Sequence, residues 1–123
     1  MNEMPTIFRL ASDAARHAAT RQATIAANVA NADTPGYRAR DLAAFQARHD
    51  ELVLRRTRPG HLDGGGSASR SFEIRGIGAD PNGNTVDLQD QVLRSIEAAR
   101  GHNRAVTVYR GALDMLRASL GGR

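Results

Sequence analysis

The side chains that could carry out chemistry in this chain are few and scattered. No cysteine is present, which excludes disulfides, thiol nucleophiles and cysteine-bound metals. Four histidines are spread along the sequence, and no two stand three or four residues apart: His17, His49, His61 and His102. A helical metal site or a histidine-based catalytic pair uses that local spacing, so solvated or interface histidines are the better interpretation. We therefore predict that the chain is not an enzyme.

A cluster of oxygen-bearing side chains has the alternate spacing of a calcium-binding loop. Oxygens of Asp80, Asn82 and Asn84 could surround one hard cation. The twelfth position of such a loop needs a bidentate glutamate, and Gln91 stands there instead. A turn followed by a helix cap explains the same residues without a metal. The sequence therefore predicts no metal ion and no other cofactor.

Two further segments bear on the binding of anions. Gly76-Ile77-Gly78 has glycines spaced as in a phosphate loop, but the chain contains no lysine and the segment lacks a strand-to-helix context. The basic run Arg55-Arg56-Thr57-Arg58 could contact phosphates, which keeps a basic helical nucleic-acid-binding protein open as an alternative. Only five aromatic residues are available to stack on bases, and this weakens that alternative.

Composition limits the core that an isolated chain can form. The 123 residues suffice for a single domain, residues 1–123, but only 24 of them are Leu, Ile, Val or Phe. Alanine supplies much of the remaining apolar content, and it favours helix while burying little surface. We therefore expect the isolated monomer to be only partly folded. The 17 arginines exceed the 13 acidic residues by four, and the resulting net charge of +4 is spread along the sequence, which favours anionic partners without defining a binding patch.

A long N-terminal helix is the first element that could position these residues, and we predict it over residues 4–33. Apolar residues recur at alternating steps of three and four, and Pro5 suits a first helical turn. About 28 residues would span about 42 Å. The predicted seam, meaning the row of side chains that faces a partner helix, consists of Met4, Ile7, Ala11, Ala14, Ala18, Arg21, Ile25, Asn28 and Ala32.

A second helix is predicted over residues 85–120. Asn84 is the expected N-cap, and Gly121 supplies a stop. The same stepping gives a seam with the period of a coiled coil. Its members are Leu88, Val92, Ser95, Ala99, His102, Val106, Tyr109, Leu113, Leu116 and Leu120.

The two seams predict the fold class. Each is narrower than the stripe that a globular helix buries, so each helix needs an elongated helical partner. We predict a mainly α protein whose two long terminal helices form an antiparallel coiled coil, joined by an irregular, loop-rich arm with at most short β segments. Arg21, Asn28 and His102 interrupt the seams, and we expect them to face a rim, water or another chain.

The arm is predicted over residues 42–84, where periodicity fades and turn residues accumulate. Two short pieces could be ordered: a helical run from Leu42 to Leu54, and an extended piece from Ser71 to Arg75 in which apolar and polar residues alternate. The triplet Gly64-Gly65-Gly66 is expected to be a flexible hinge.

The end of the first helix has a distinct turn chemistry. Pro35 lacks an amide donor and pushes Thr34 toward extended backbone, so the helix should stop near Asp33. Gly36 suits a turn position with positive φ, and the chain then leaves through Tyr37 at a fixed angle. No catalytic site requires this turn. Taken alone, asparagines near a helix end often only cap or turn the backbone.

The residues around this turn also carry a family resemblance. The string Ala-Asn-Val-Ala-Asn-Ala-Asp-Thr-Pro-Gly-Tyr-Arg-Ala-Arg-Asp, residues 27–41, resembles the N-terminal signature of flagellar rod, hook and hook-associated proteins. Its Asp-Thr-Pro-Gly-Tyr form is more similar to proximal-rod members than to distal-rod members. Gly-Asn-Thr-Val-Asp-Leu, residues 83–88, resembles the lead-in to the C-terminal helix of the proximal-rod members. The family usually has an aromatic residue near the middle of that helix, where this chain has Gly101 and His102.

The resemblance implies a structural subunit of the proximal rod in the bacterial flagellar basal body, with another axial subunit of the distal rod as the alternative. It implies that the assembly motif fixes the helix exit and contacts neighbouring subunits in a helical tube: Asn28, Ala30, Asn31, Thr34, Pro35, Gly36 and Tyr37. The implied partners are other rod subunits, the adaptor that joins the rod to the membrane ring, and the flagellar export apparatus. The resemblance also implies a periplasmic location in the rod. We expect no cleaved signal peptide, because the first ten residues have no uninterrupted apolar core.

Overall fold

Two long helices and one short hairpin make up the described part of the chain. The structure, a computed structural model, describes residues 3–46 and 70–121. Helix α1 spans Glu3–Ala30 and helix α2 spans Leu88–Leu120. Strands β1, Arg40–Leu42, and β2, Ser71–Glu73, lie between them. The predicted mainly α class with two long helices and short β segments is confirmed.

The two helices run antiparallel along their length. The rings of Phe8 and Tyr109 meet edge to face with their centroids 5.1 Å apart, at the start of α1 and late in α2. At the other end of the pair, the Gln22 side chain donates a hydrogen bond to the Ser95 carbonyl at 3.3 Å. Residues later in α1 therefore contact residues earlier in α2, so the two helices pair antiparallel, as predicted.

Alanine dominates the buried seam between the helices. On α1 the buried side chains repeat every seven residues, at Ala11, Ala18 and Ile25. On α2 the repeat is the same, with Gln91, Ala98, Ala105 and Ala112. A seven-residue repeat keeps one face of each helix on its partner, as in a coiled coil. Small side chains let the helices approach closely: a Cβ on Gly101 would lie 3.9 Å from that of Ala18.

The buried row on α2 is displaced from the predicted seam by one position along the sequence, so that Ala98, Ala105 and Ala112 are buried where Ala99, Val106 and Leu113 were predicted. One residue is about 100° around a helix, so the predicted row flanks the buried alanines. Bulky residues determined the prediction, but the closest approach of two backbones selects small ones. Among the predicted seam residues, Ala11, Ala18 and Ile25 are buried, Ala14, Ala99, Val106, Leu113 and Leu116 are half-buried, and Ile7, Leu88, Val92, Tyr109 and Leu120 are exposed.

The ends of the helices follow their capping residues. Asp87, not the predicted Asn84, is the N-cap of α2: its carboxylate accepts from the backbone amides of Gln89 and Asp90. Asn84 is instead buried and bonded to the turn after α1. At the other end, Gly121 caps α2 as predicted, and its amide donates to the Arg117 carbonyl at 2.7 Å.

The described residues on either side of the segment 47–69 include a two-stranded antiparallel hairpin, and its strand β1 packs against α1. Asp41 is paired with Phe72 at its centre, and Ala39, Leu42 and Ile74 are buried. The extended piece predicted at Ser71–Arg75 is thus confirmed for Ser71–Glu73. The helical run predicted from residue 42 is wrong over residues 42–46, where Leu42 ends β1 and the next four residues are not helical. The Leu42 amide donates to Asp41 Oδ1, and the Ala43 amide donates to the Arg70 carbonyl. The rest of that run and the glycine triplet lie outside the described residues.

Candidate functional site

The candidate site is the junction at which α1 ends. The Asn31 amide still donates to the Ala27 carbonyl at 3.2 Å, and the Thr34 amide then donates to the Asn31 carbonyl at 3.1 Å, which closes a turn. Gly36 has a φ of 72°, a conformation that side-chain-bearing residues adopt only at a cost. The predicted turn at glycine is therefore present, and α1 ends at Ala30, three residues before the predicted stop near Asp33.

Asn28 is the centre of the junction and is fully buried. Its Nδ2 donates to the Arg40 carbonyl at 2.7 Å and to Gln91 Oε1 at 2.8 Å. Its Oδ1 accepts from the Arg40 amide at 3.1 Å and from the Tyr37 hydroxyl at 3.3 Å. One amide thereby ties α1 to α2 and to the start of β1. The expectation that Asn28 faces a rim, water or another chain is wrong, because partners within the chain satisfy the whole amide.

Asn84 performs the same task on the opposite side of the turn. Its Nδ2 donates to the carbonyls of Asn31 and Thr34, at 2.9 and 2.8 Å, and its Oδ1 accepts from the Val86 amide at 2.8 Å. Both carbonyls belong to the turn that follows α1, where intrahelical partners run out. The side chain of Asn84 thus replaces the missing helical donors.

Backbone hydrogen bonds join the two sequence motifs. The Gly36 amide donates to the Asn82 carbonyl at 3.0 Å, and the Thr85 amide donates to the Tyr37 carbonyl at 3.0 Å. The Thr85 hydroxyl in turn accepts from the Ala39 amide at 2.9 Å. The segments 27–41 and 83–88, far apart in the sequence, therefore form one structural unit.

A buried carboxylate fastens the hairpin to both helices. Asp41 is 1% exposed, and Arg21 of α1 approaches it with two nitrogens, at 2.8 Å to Oδ1 and 2.9 Å to Oδ2. Arg94 of α2 donates to Oδ2 at 2.6 Å, and the Leu42 amide donates to Oδ1 at 2.7 Å. Burial raises the pKa of Asp41, but the hydrogen bonds from Arg21, Leu42 and Arg94 outweigh it and hold that pKa below its usual value. We refer to Asp41, Arg21 and Arg94 as the carboxylate clamp.

The structure brings most of the predicted assembly motif into this junction. Asn28, Asn31, Thr34, Gly36 and Tyr37 all take part in its hydrogen bonds, whereas Ala30 and Pro35 are exposed. Sequence reasoning missed Asp41, Gln91 and Arg94 as structural residues, and it assigned Asn84 to a helix cap instead of the junction. The seven-residue period could have indicated that Gln91 is buried, because it stands seven residues before the first of three buried alanines on α2.

The structure also shows where the possible metal ligands and two of the four histidines lie. The amide oxygens of Asn82 and Asn84 accept from backbone amides, as in the turn interpretation. His17 donates to the Ala43 carbonyl at 2.7 Å, and His102 is exposed. Within residues 3–46 and 70–121, no group of three or more acidic or histidine side chains could hold a metal ion. The basic run 55–58 and the two remaining histidines lie outside those ranges.

Neither described helix is both long and apolar enough to cross a membrane. The polar interior of the junction is fully satisfied: no buried side-chain nitrogen or oxygen of the described residues lacks a hydrogen-bond partner. A fully satisfied buried polar network of this kind rigidifies the fold around it.

Two comparisons with known proteins bear on the family of the chain. A family model described as flagella basal body rod protein matches residues 8–38, which end within the junction. The flagellar basal body rod protein FlgB of Agrobacterium fabrum (strain C58 / ATCC 33970) is 33% identical over 107 residues, covering 79% of this chain and 79% of that protein. The chain therefore belongs to the flagellar basal body rod protein family, as a structural component of the rod.

Proposed function

We propose that the chain forms part of the proximal rod, in the periplasmic section of the flagellar basal body, and polymerises there into the shaft that transmits torque. The proposed partners are other rod subunits, the adaptor between rod and membrane ring, and the flagellar export apparatus. The identity with a FlgB protein supports the proximal position. The same identity argues against the alternative, a subunit of the distal rod.

One observation carries the proposal: the helix pair has its small residues inside and its large apolar residues outside. Three of the four buried residues of α2 are alanines. Large apolar side chains of the same helix are between 40 and 81% exposed: Leu88, Val92, Leu93, Ile96, Val108, Tyr109, Met115 and Leu120. Large contiguous exposed apolar surfaces mark interaction sites. The side chains that can bury the most apolar surface are thus exposed and available for contacts with neighbouring subunits.

The junction supports the mechanical part of the proposal. A subunit that passes torque must hold its helices at a constant angle under load. Asn28 connects both helices to β1, and the carboxylate clamp connects both helices to the same strand. Open, heterologous contacts between such rigid subunits build a helical assembly instead of a closed ring.

Substitution of exposed apolar residues tests the proposal without disturbing the fold. Leu93 and Met115 are 63 and 65% exposed, so replacing either by Asp should leave the helicity of the purified chain unchanged. In a strain lacking the chromosomal gene, both variants are expected to abolish swimming and to leave basal bodies without a complete rod, because a charge would enter an apolar contact between subunits. Asn103→Asp, also on the exposed part of α2, is the matched control and should swim. Full motility of both apolar variants would contradict the proposed assembly.

A further inference from the structure

The first half of α2 carries a ridge of exposed side chains that the helix pair leaves uncovered. Leu88, Val92, Ile96, Arg100 and Arg104 follow one another at four-residue steps, so they lie along one row of the helix surface. The three apolar members are 54, 57 and 44% exposed. Both arginines are exposed, and neither forms an ion pair with any residue that the structure describes. We refer to this row as the α2 ridge.

Carboxylates lie at the N-terminal end of the same ridge. Asp87 caps α2 directly before Leu88 and is exposed. Asp80 is exposed too, and its amide donates to the Asn84 carbonyl at 2.8 Å, which keeps it near the start of the helix. Along its length the surface is therefore acidic, then apolar, then basic.

We propose that the α2 ridge is the contact surface of a two-fold dimer, in which the ridges of two copies of this chain pack antiparallel. Packing of such four-step rows on each other is the commonest class of helix contact, with a crossing angle of about −50°. With the axis near residue 94, Val92 of one copy lies against Ile96 of the second. The basic end of each ridge then approaches the acidic end of the other. A parallel arrangement would place like charges side by side, so charge complementarity selects the antiparallel one.

This dimer goes beyond the role in the rod. A two-fold contact is closed, whereas a shaft grows through open contacts. The dimer is thus a form of the unassembled chain, in which one copy covers the apolar ridge of the other until rod neighbours replace it. Because it concerns two purified copies in solution, its test does not depend on whether the chain occupies the proximal rod.

Sedimentation velocity of the full chain over a concentration series tests the dimer. We expect a monomer–dimer equilibrium whose dissociation constant rises about tenfold or more in Val92→Asp, since the new charge would enter the apolar centre of the contact. Met115→Asp, a charge at a comparably exposed apolar residue of the same helix, should leave the equilibrium unchanged. Arg104→Glu should also weaken the dimer, and by less in high salt. A wild-type chain that stays monomeric, or equal losses in Val92→Asp and Met115→Asp, would overturn the inference.

Crosslinking of single cysteines tests the orientation, since the natural chain contains no cysteine. Ile96→Cys lies next to the proposed axis and should crosslink efficiently with a short bismaleimide. Thr107→Cys, exposed on the same helix, would lie about 20 Å from the axis in each copy and should not. Equal crosslinking at both positions would indicate a parallel pair and refute the proposed geometry.

Discussion

Replacing Asp41 by asparagine tests the carboxylate clamp, because it removes a buried charge with almost no change of shape. Both carboxylate oxygens are bonded to Arg21, at 2.8 and 2.9 Å, and one is also bonded to Arg94 at 2.6 Å. Removing one partner of a buried ion pair costs about 3–5 kcal/mol. Here Arg21 and Arg94 keep Glu97 and Asp90 as partners, so we expect a loss of about 2–3 kcal/mol in the free energy of unfolding.

Urea unfolding followed by circular dichroism measures this loss. A constant concentration of trimethylamine N-oxide keeps the wild-type chain on its folded baseline, because the osmolyte strengthens burial. Glu73→Gln is the matched control: it neutralises a carboxylate paired with Arg38 at 3.3 Å, but both side chains are largely exposed. An exposed pair contributes about 0–1 kcal/mol, so the control should stay close to the wild type.

The pH dependence gives a second, independent readout of the clamp. The pKa of Asp41 is lower in the folded chain than its usual value of 3.8. The carboxylate therefore stabilises the fold above about pH 4, and this contribution is lost as the pH falls through the folded pKa. The gap in unfolding free energy between wild type and Asp41→Asn should narrow between about pH 5 and pH 2. A gap that stays constant or widens in acid, or a variant as stable as the wild type at neutral pH, would refute the reasoning.

Three further predictions concern the junction and the seam. Asn28→Ala should cost about 2–4 kcal/mol, and a double-mutant cycle with Gln91→Ala should be less than additive, since the two amides share a hydrogen bond; additive losses would exclude coupling. Gly36→Ala should lower the unfolding free energy by about 1 kcal/mol because of its positive φ, while Gly78→Ala should not; a neutral Gly36→Ala would show that the turn relaxes. Val106→Asp should reduce helicity and abolish rod assembly, because it places a charge in the half-buried flank of the seam; wild-type motility would contradict this.

Periodicity and turn chemistry predicted the fold well for a physical reason: both are local in sequence. The helix stop before Pro35 and the glycine turn depend on adjacent residues, and the extended piece at Ser71 depends on simple alternation. The N-cap was misplaced because Asn84 and Asp87 are both good capping residues, and tertiary contacts decide between them. The prediction that the isolated chain is only partly folded stays a prediction.

The clamp and the Asn28–Gln91 pair could not be predicted, because their partners are separated by 20 to 63 residues and no local pattern connects them. Their consequence is the register of the two helices. Apart from Ile25, the buried apolar residues of the seam are alanines that repeat every seven residues, so a shift of α2 by one repeat, about 10.5 Å, would again place alanines of α2 against the α1 seam. The same shift would separate Gln91 from Asn28 and Arg94 from Asp41, leaving buried polar groups without partners. The polar residues of the junction, not the apolar seam, therefore select the alignment of the pair.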